Sequence, residues 1–173
     1  MPQVIFRLMT GLFRIIDFFH SPENKLDNFE IKNGQTVIDY GCGPGRYITK
    51  AAEIVGVKGK VLAVDIHKLA LRYVKRKIAM NGLRNVQTYL VENDKTRIND
   101  NTADVVYALD MFHDIREPQP FFKELYRLIK KNGKLYLEDG HQKRSSSLNK
   151  ISKSDLWEIK RQTKTHLVLK PLK

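Results

Sequence analysis

A doubly wound α/β domain is what this sequence predicts: a mostly parallel, seven-stranded sheet with an antiparallel C-terminal edge strand, preceded by an apolar N-terminal helix. Three observations lead there. A strand-type run over residues 37–40 opens into glycines at alternate positions, Gly41, Gly43 and Gly45, followed by residues able to start a helix. A second apolar run, 60–65, ends in Asp65, twenty residues after Gly45. Further strand-type runs then alternate with helical patterns, as right-handed crossovers between parallel strands require.

Residues 3–20 read as a helix with a broad apolar surface (Val4, Ile5, Leu8, Leu12, Ile16 and Phe19 among others) and a narrow polar stripe of Arg7, Thr10, Arg14 and Asp17. Arg7 and Arg14 interrupt the apolar run and no small-residue cleavage site follows, so it is not a secretory signal. Its length and three charges make it marginal as a membrane span. Docking over the ligand pocket is the favoured reading, ahead of a dimer interface or a membrane contact. Pro22 stops the helix, and Ser21 caps a short turn over 22–28.

Asn33-Gly34 marks a turn before the first strand, 35–40. The first crossover helix covers about 46–55 and ends at Gly56. The second strand, 60–65, is continuously apolar, as expected for a parallel strand covered on both faces. The second helix, 68–81, carries Leu71, Val74 and Ile78 on one face and stops at Asn81-Gly82. A third strand, 86–91, leads into Glu92-Asn93-Asp94, and a fourth, 104–109, into Asp110-Met111-Phe112-His113-Asp114.

Residues 95–103 are too short and polar for a full helix, so a turn or partial helix is expected there. A helix from 118 or 119 to 131 has Phe121, Phe122, Leu125, Leu128 and Ile129 at core spacing, with Asn132-Gly133 as its stop and 134–138 as the fifth strand. Residues 141–153, rich in Lys and Ser, read as a mobile loop with room for a short helix. Runs at 157–161 and 165–169 then form a hairpin that closes the sheet with an antiparallel edge. The whole chain, 1–173, reads as one domain: a helical cap (1–30), a ligand-binding core (31–141), and a loop with a C-terminal hairpin (142–173).

A glycine loop between strand and helix aims free backbone N–H groups at a nucleotide-like ligand. The spacing is not the dinucleotide G-x-G-x-x-G, because Arg46 stands where its third glycine would be. A P-loop is excluded by the missing Lys-Ser or Lys-Thr pair. Asp65, at the tip of the second strand, lies in reach of a pair of ribose hydroxyls. Taken together, residues 30–141 resemble the class I S-adenosylmethionine-dependent methyltransferases. Asp39 to Gly45 is similar to their D-x-G-C-G-x-G loop, Val61 to Asp65 to their ribose-binding strand, Asn93-Asp94 to their adenine-side acid, and Phe121 to Glu138 to their late helix and fifth strand.

The resemblance implies S-adenosylmethionine as cofactor and S-adenosylhomocysteine as product. Gly41, Gly43 and Gly45 would let the cofactor approach the backbone, and Asp39 would help hold the methionine ammonium. Asp65 would accept from the ribose, Ile66 would lie against the adenine, and Asp94 would accept from its amino group. Beyond the fourth and fifth strands stand Asp110, His113, Asp114, Asp139 and His141. His113, with Asp110, is the catalytic candidate, because an imidazole titrates near neutrality. Bracing of the loop by His113 is an equal rival. Asp110 and Asp139 faintly resemble the metal pair of catechol-type relatives, but no metal is expected. The Asn-Pro-Pro-Tyr and Asp-Pro-Pro-Tyr signatures of amino-methylating relatives are absent after Leu109.

The one cysteine, Cys42, excludes an intramolecular disulfide framework and fits a reducing cytoplasm. The compositional outlier is a formal net charge of +12. The basic residues are scattered along the sequence, so a solvated surface outweighs a nucleic-acid footprint. The leading expectation is a monomeric or homodimeric cytoplasmic enzyme with no transmembrane segment, methylating a small-molecule or lipid-like acceptor. An RNA-modifying methyltransferase and a non-catalytic S-adenosylmethionine-binding module are the alternatives. A nicotinamide oxidoreductase is opposed by the glycine spacing.

Overall fold

The computed structural model describes residues 22–173. The apolar helix expected over 3–20, its docking and the Ser21 cap lie outside the described residues. The described chain opens with a 3-10 helix, Pro22–Asn28, where the turn was expected. Seven strands follow: β1 Thr36–Tyr40, β2 Lys60–Asp65, β3 Val86–Leu90, β4 Ala103–Ala108, β5 Ile129–Glu138, β6 Trp157–Gln162 and β7 His166–Pro171. Four α-helices connect them: α1 Ile48–Val55, α2 Lys68–Asn81, α3 Pro118–Leu128 and α4 Arg144–Ser152.

The strands form one sheet in the order β3-β2-β1-β4-β5-β7-β6. The five strands from β3 to β5 are mutually parallel, while β7 runs antiparallel to both β5 and β6. The antiparallel closure expected of the tail is present. Its last strand lies inside the hairpin, between β5 and β6, and β6 forms the outer edge. Because β1 and β4 are neighbours and the chain leaves β1 toward β2 but β4 toward β5, the sheet has its topological switch point between them, the place where ligands bind in such folds.

Both faces are covered, which is why β1, β2 and β4 are almost wholly buried. One core joins Val37, Val61, Ala63 and Tyr107 to α1 and α2 through Ile48, Val55, Leu71 and Val74. The other joins Ile38, Leu62, Val106 and Leu135 to α3 through Phe121, Phe122, Leu125 and Leu128.

Two local expectations, the end of α3 and the start of β5, are corrected. The α3 helix ends at Leu128 rather than 131, because Ile129 already pairs with Ala103 of β4 and is buried. Residues 130–133, with the Asn-Gly pair, bulge out of β5 before the ladder resumes at Val105 opposite Lys134. Residues 95–102, expected as a turn or partial helix, hold a turn at 100–101, and Arg127 donates to Ile98 O and Asp100 Oδ1, pinning that segment onto α3. The polar stretch expected as a loop with room for a short helix holds that helix as α4, whose Ser147 and Ile151 are buried on the domain.

Candidate active site

The glycine loop is built as its residue types demand. Gly41, Gly43 and Gly45 all have left-handed backbone, with φ of 81°, 51° and 79°. The Gly41 and Cys42 amides both donate to Val64 O, at 2.8 and 2.9 Å, fastening the loop to the end of β2. A Cβ at Gly41 would stand 2.8 Å from Met111 Cγ, and one at Gly45 would press on Val74 and Ile48. At Gly43 the same atom would meet nothing within 4 Å. The loop is thus packed at both ends and open at its middle.

Asp65 borders that opening. Its Oδ2 accepts from Gly43 N at 2.9 Å and its Oδ1 from His67 N at 2.8 Å. Burial pushes its pKa up, while these two N–H donors pull it back. Each oxygen keeps a further lone pair. Next to it Ile66, at 65% exposure, is one of few large apolar side chains in solvent. Across the rim, Asn93 and Asp94 form a two-residue tight turn with φ of 51° and 60°, closed by reciprocal backbone bonds between Glu92 and Lys95. Asp94 is exposed at its tip.

Beneath the loop Asp39 is 2% exposed and its Oδ2 has no partner. Burial is the main cause that raises its pKa to about 8; the neighbouring Tyr107 hydroxyl opposes this, and the Asp65 charge adds to it. The Tyr107 hydroxyl is itself buried without a hydrogen bond of normal geometry. Lys77 of α2 reaches back to donate to Gly45 O at 2.7 Å. In the sequence Lys77 is one of three consecutive cations, 75–77, and its spacing three residues after Val74, which packs on Gly45, is the signal of its inward role.

On the side of β4 and β5, Asp110 takes a left-handed backbone (φ 56°) and its carboxylate pairs with Arg46, Nη1 to Oδ2 3.2 Å. His113 lies in the 3-10 helix Phe112–Asp114, its ring 4.8 Å from that of His141, and its Nδ1 is buried without a partner against Gly140. Its Nε2 faces Asp114 Oδ2 at 3.7 Å. Lys150 of α4 donates to Phe112 O at 3.0 Å and so fastens this short helix. Asp139 accepts from Arg144 Nε at 2.8 Å, leaving its Oδ1 buried and unpartnered. Asp110 and Asp139 therefore each carry a guanidinium. Among the described residues no group of three His, Cys, Asp or Glu side chains is arranged to hold a metal.

Buried polar atoms without partners gather at this end of the sheet: Asp39 Oδ2, Tyr47 Oη, Tyr107 Oη, His113 Nδ1, Asp139 Oδ1 and His166 Nε2, with Ser154 Oγ an exception elsewhere. Such atoms call for ligand or water partners. The open middle of the loop at Gly43 and the orphaned Asp39 carboxyl fit a cofactor with a nucleoside and an ammonium group.

Residues 31–169 match the family described as "Methyltransferase domain". The chain belongs to this methyltransferase family. The fold agrees with that of a solved S-adenosylmethionine-dependent methyltransferase from Aquifex aeolicus, at 27% identity and a TM-score of 0.74, covering 86% of this chain and 87% of that one. Among curated relatives, the ubiquinone/menaquinone biosynthesis C-methyltransferase UbiE of Escherichia fergusonii is 28% identical over 111 residues, 64% of this chain and 44% of its own length. An arsenite methyltransferase of Halobacterium salinarum is 29% identical over 106 residues, 61% of this chain and 27% of its own. The chain thus matches less than half the length of either curated relative.

Proposed function

We propose that this chain transfers the methyl group of S-adenosylmethionine to a small-molecule or lipid-like acceptor. The observation that carries the reading is the Gly43–Asp65 contact, with open space above Gly43 and the unpartnered Asp39 carboxyl below. When bound, the cofactor supplies a methyl group already activated by its sulfonium. The protein's part is alignment and exclusion of water.

Asp65 accepts from the ribose hydroxyls with its remaining lone pairs, held by Gly43 N and His67 N. Ile66 lies against one face of the adenine, and Asp94 accepts from its amino group. Asp39 receives the ammonium of the methionine end, where a cation lowers the cost of ionising a buried carboxyl. The loops after β4 and β5 receive the acceptor. There His113 serves as general base through Nε2, the nitrogen not sealed against Gly140, and Asp110 shapes the entrance while paired to Arg46. Small acceptors are supported by the relatives, whose names specify a quinone pathway and arsenite. A cytoplasmic location goes with this reading; among the described residues no helix is long and apolar enough to cross a membrane.

Calorimetric titration of S-adenosylmethionine and S-adenosylhomocysteine into wild type and Asp65→Ala tests the proposal. Wild type binds both, and the substitution weakens both severely. A folded wild type that binds neither overturns it.

A further inference from the structure

Two stretches carry the chain's excess positive charge, residues 142–173, where Asp155 and Glu158 are interspersed, and residues 66–91, which hold no acid at all. Residues 66–91 contain six Lys or Arg (Lys68, Arg72, Lys75, Arg76, Lys77 and Arg84) and no Asp or Glu, against a net charge of +12 for all 173 residues. They form α2 and the edge strand β3. Lys77 turns inward to Gly45 O. Lys68, Arg72, Lys75 and Arg76 are exposed. None of these four has a carboxylate within ion-pair distance among the described residues, although cations elsewhere, such as Lys130, Arg127 and Arg144, do.

Helical spacing orders them. Lys68, Arg72 and Arg76 follow one another at i, i+4 and i+8, with Lys75 beside them, along about 12 Å of helix axis. The row begins next to Ile66 at the rim of the cofactor opening and runs to the opposite end of the sheet. There Asn85 Nδ2 donates to Ala52 O and Gly56 O, both at 2.9 Å, and so draws the turn that bears Lys58 beside Arg84. The result is a narrow, linear cationic track across the thickness of the domain.

We infer that this track binds the phosphate backbone of a single nucleic-acid strand. A linear polyanion can follow a row of cations from one end of the sheet to the rim of the active site. A flat anionic bilayer that meets the rim would leave most of the row in water. The exposed positions of α2 from Lys68 to Arg76 are all cationic; Met80, 86% exposed, comes only in the last turn. The exposed apolar side chains nearby, Ile66 at one end of the row and Met80 and Val57 at the other, are separated by it and form no continuous apolar face of the kind an interfacial helix needs to enter acyl chains. The inference stands apart from the identity of the methyl acceptor.

The test is fluorescence anisotropy of the full chain with a labelled 20-nucleotide RNA and the same sequence as DNA, between about 50 and 200 mM salt. The variants are Arg72→Gln/Arg76→Gln and, with the same loss of charge on the β6 side, Lys153→Gln/Lys164→Gln. The first is expected to lower affinity about tenfold and to flatten the slope of log K against log salt by about 1.4, two phosphate contacts at ~0.7 each. The second should leave both nearly unchanged. Circular dichroism and S-adenosylmethionine binding, equal in the two variants, show that α2 remains folded. Equal losses in both variants would mean diffuse charge and overturn the track. So would absence of RNA and DNA binding, and so would binding only to phosphatidylglycerol vesicles, which assigns the face to a membrane.

Discussion

Arg46 and Asp110 join the two halves of the active site. Arg46 follows the glycine loop, Asp110 follows β4, and their side chains meet at 3.2 Å where both are partly withdrawn from solvent, at 15% and 35% exposure. The residue that breaks the dinucleotide pattern is therefore the one that ties the glycine loop to the loop after β4. In a double-mutant cycle with Arg46→Ala and Asp110→Ala, urea unfolding should give a coupling of about 1 kcal/mol. Additive losses would mean that the contact is only geometric.

The three loop glycines should fail in different ways. Gly43→Ala introduces only the left-handed backbone cost of about 1–2 kcal/mol, because its methyl group meets empty space, yet it fills the cofactor opening. It should keep a cooperative thermal transition and lose cofactor affinity more than tenfold. Gly41→Ala adds a clash with Met111 and should lose more stability; shortening that neighbour by Met111→Ala should recover part of the loss. Equal melting temperatures for the two single variants would refute the distinction.

Asp39 makes stability depend on pH. Its carboxyl titrates near 8 when folded and near 3.8 when unfolded. Between these values the folded state holds the extra proton, so wild-type stability falls as pH rises from about 4 to 8 and levels off above. Asp39→Asn lacks this loss. Its melting temperature relative to wild type should climb across that window, by roughly 10–20 °C in all. A difference that stays constant with pH would show that Asp39 ionises normally.

Arg127 should matter more than its surface position suggests. It donates to Glu124, Asp100, Thr96 O and Ile98 O, while the Thr96 amide and hydroxyl both donate to Glu124, a carboxylate buried to 4% exposure. Arg127→Met leaves that charge without its cation, so a loss of about 3–5 kcal/mol is expected in urea unfolding. Faster amide exchange at Thr96 should accompany it. Unchanged exchange would show that residues 95–102 are held by other means.

Much of the cofactor side was legible because local chemistry and global fold agree there. The continuous apolar run of β2 and the left-handed Gly82 at the end of α2 carry their own signals, and both elements lie as read. Asn132-Gly133 misled because a turn pair also suits a bulge, and the buried side chain of Ile129 is claimed by β4 before the helix can reach the pair. The α4 segment has too few apolar residues to announce a helix; burial of Ser147 and Ile151 against the domain makes it one. Pairings across the sequence, such as Arg46 with Asp110 or His113 with His141, follow from crossovers and have no local pattern to reveal them.

The placing of β7 between β5 and β6 imposes an order on assembly. β6 leaves the ribosome before β7, yet the neighbour it needs is β7 itself, and β7 alone covers the outer edge of β5. Until residues 166–171 emerge, the newly made β5 keeps an open ladder of backbone donors and acceptors, a template for any stray strand. Completion of this sheet is a long-range event, and β5 stays open to mispairing until residues 166–171 have been made.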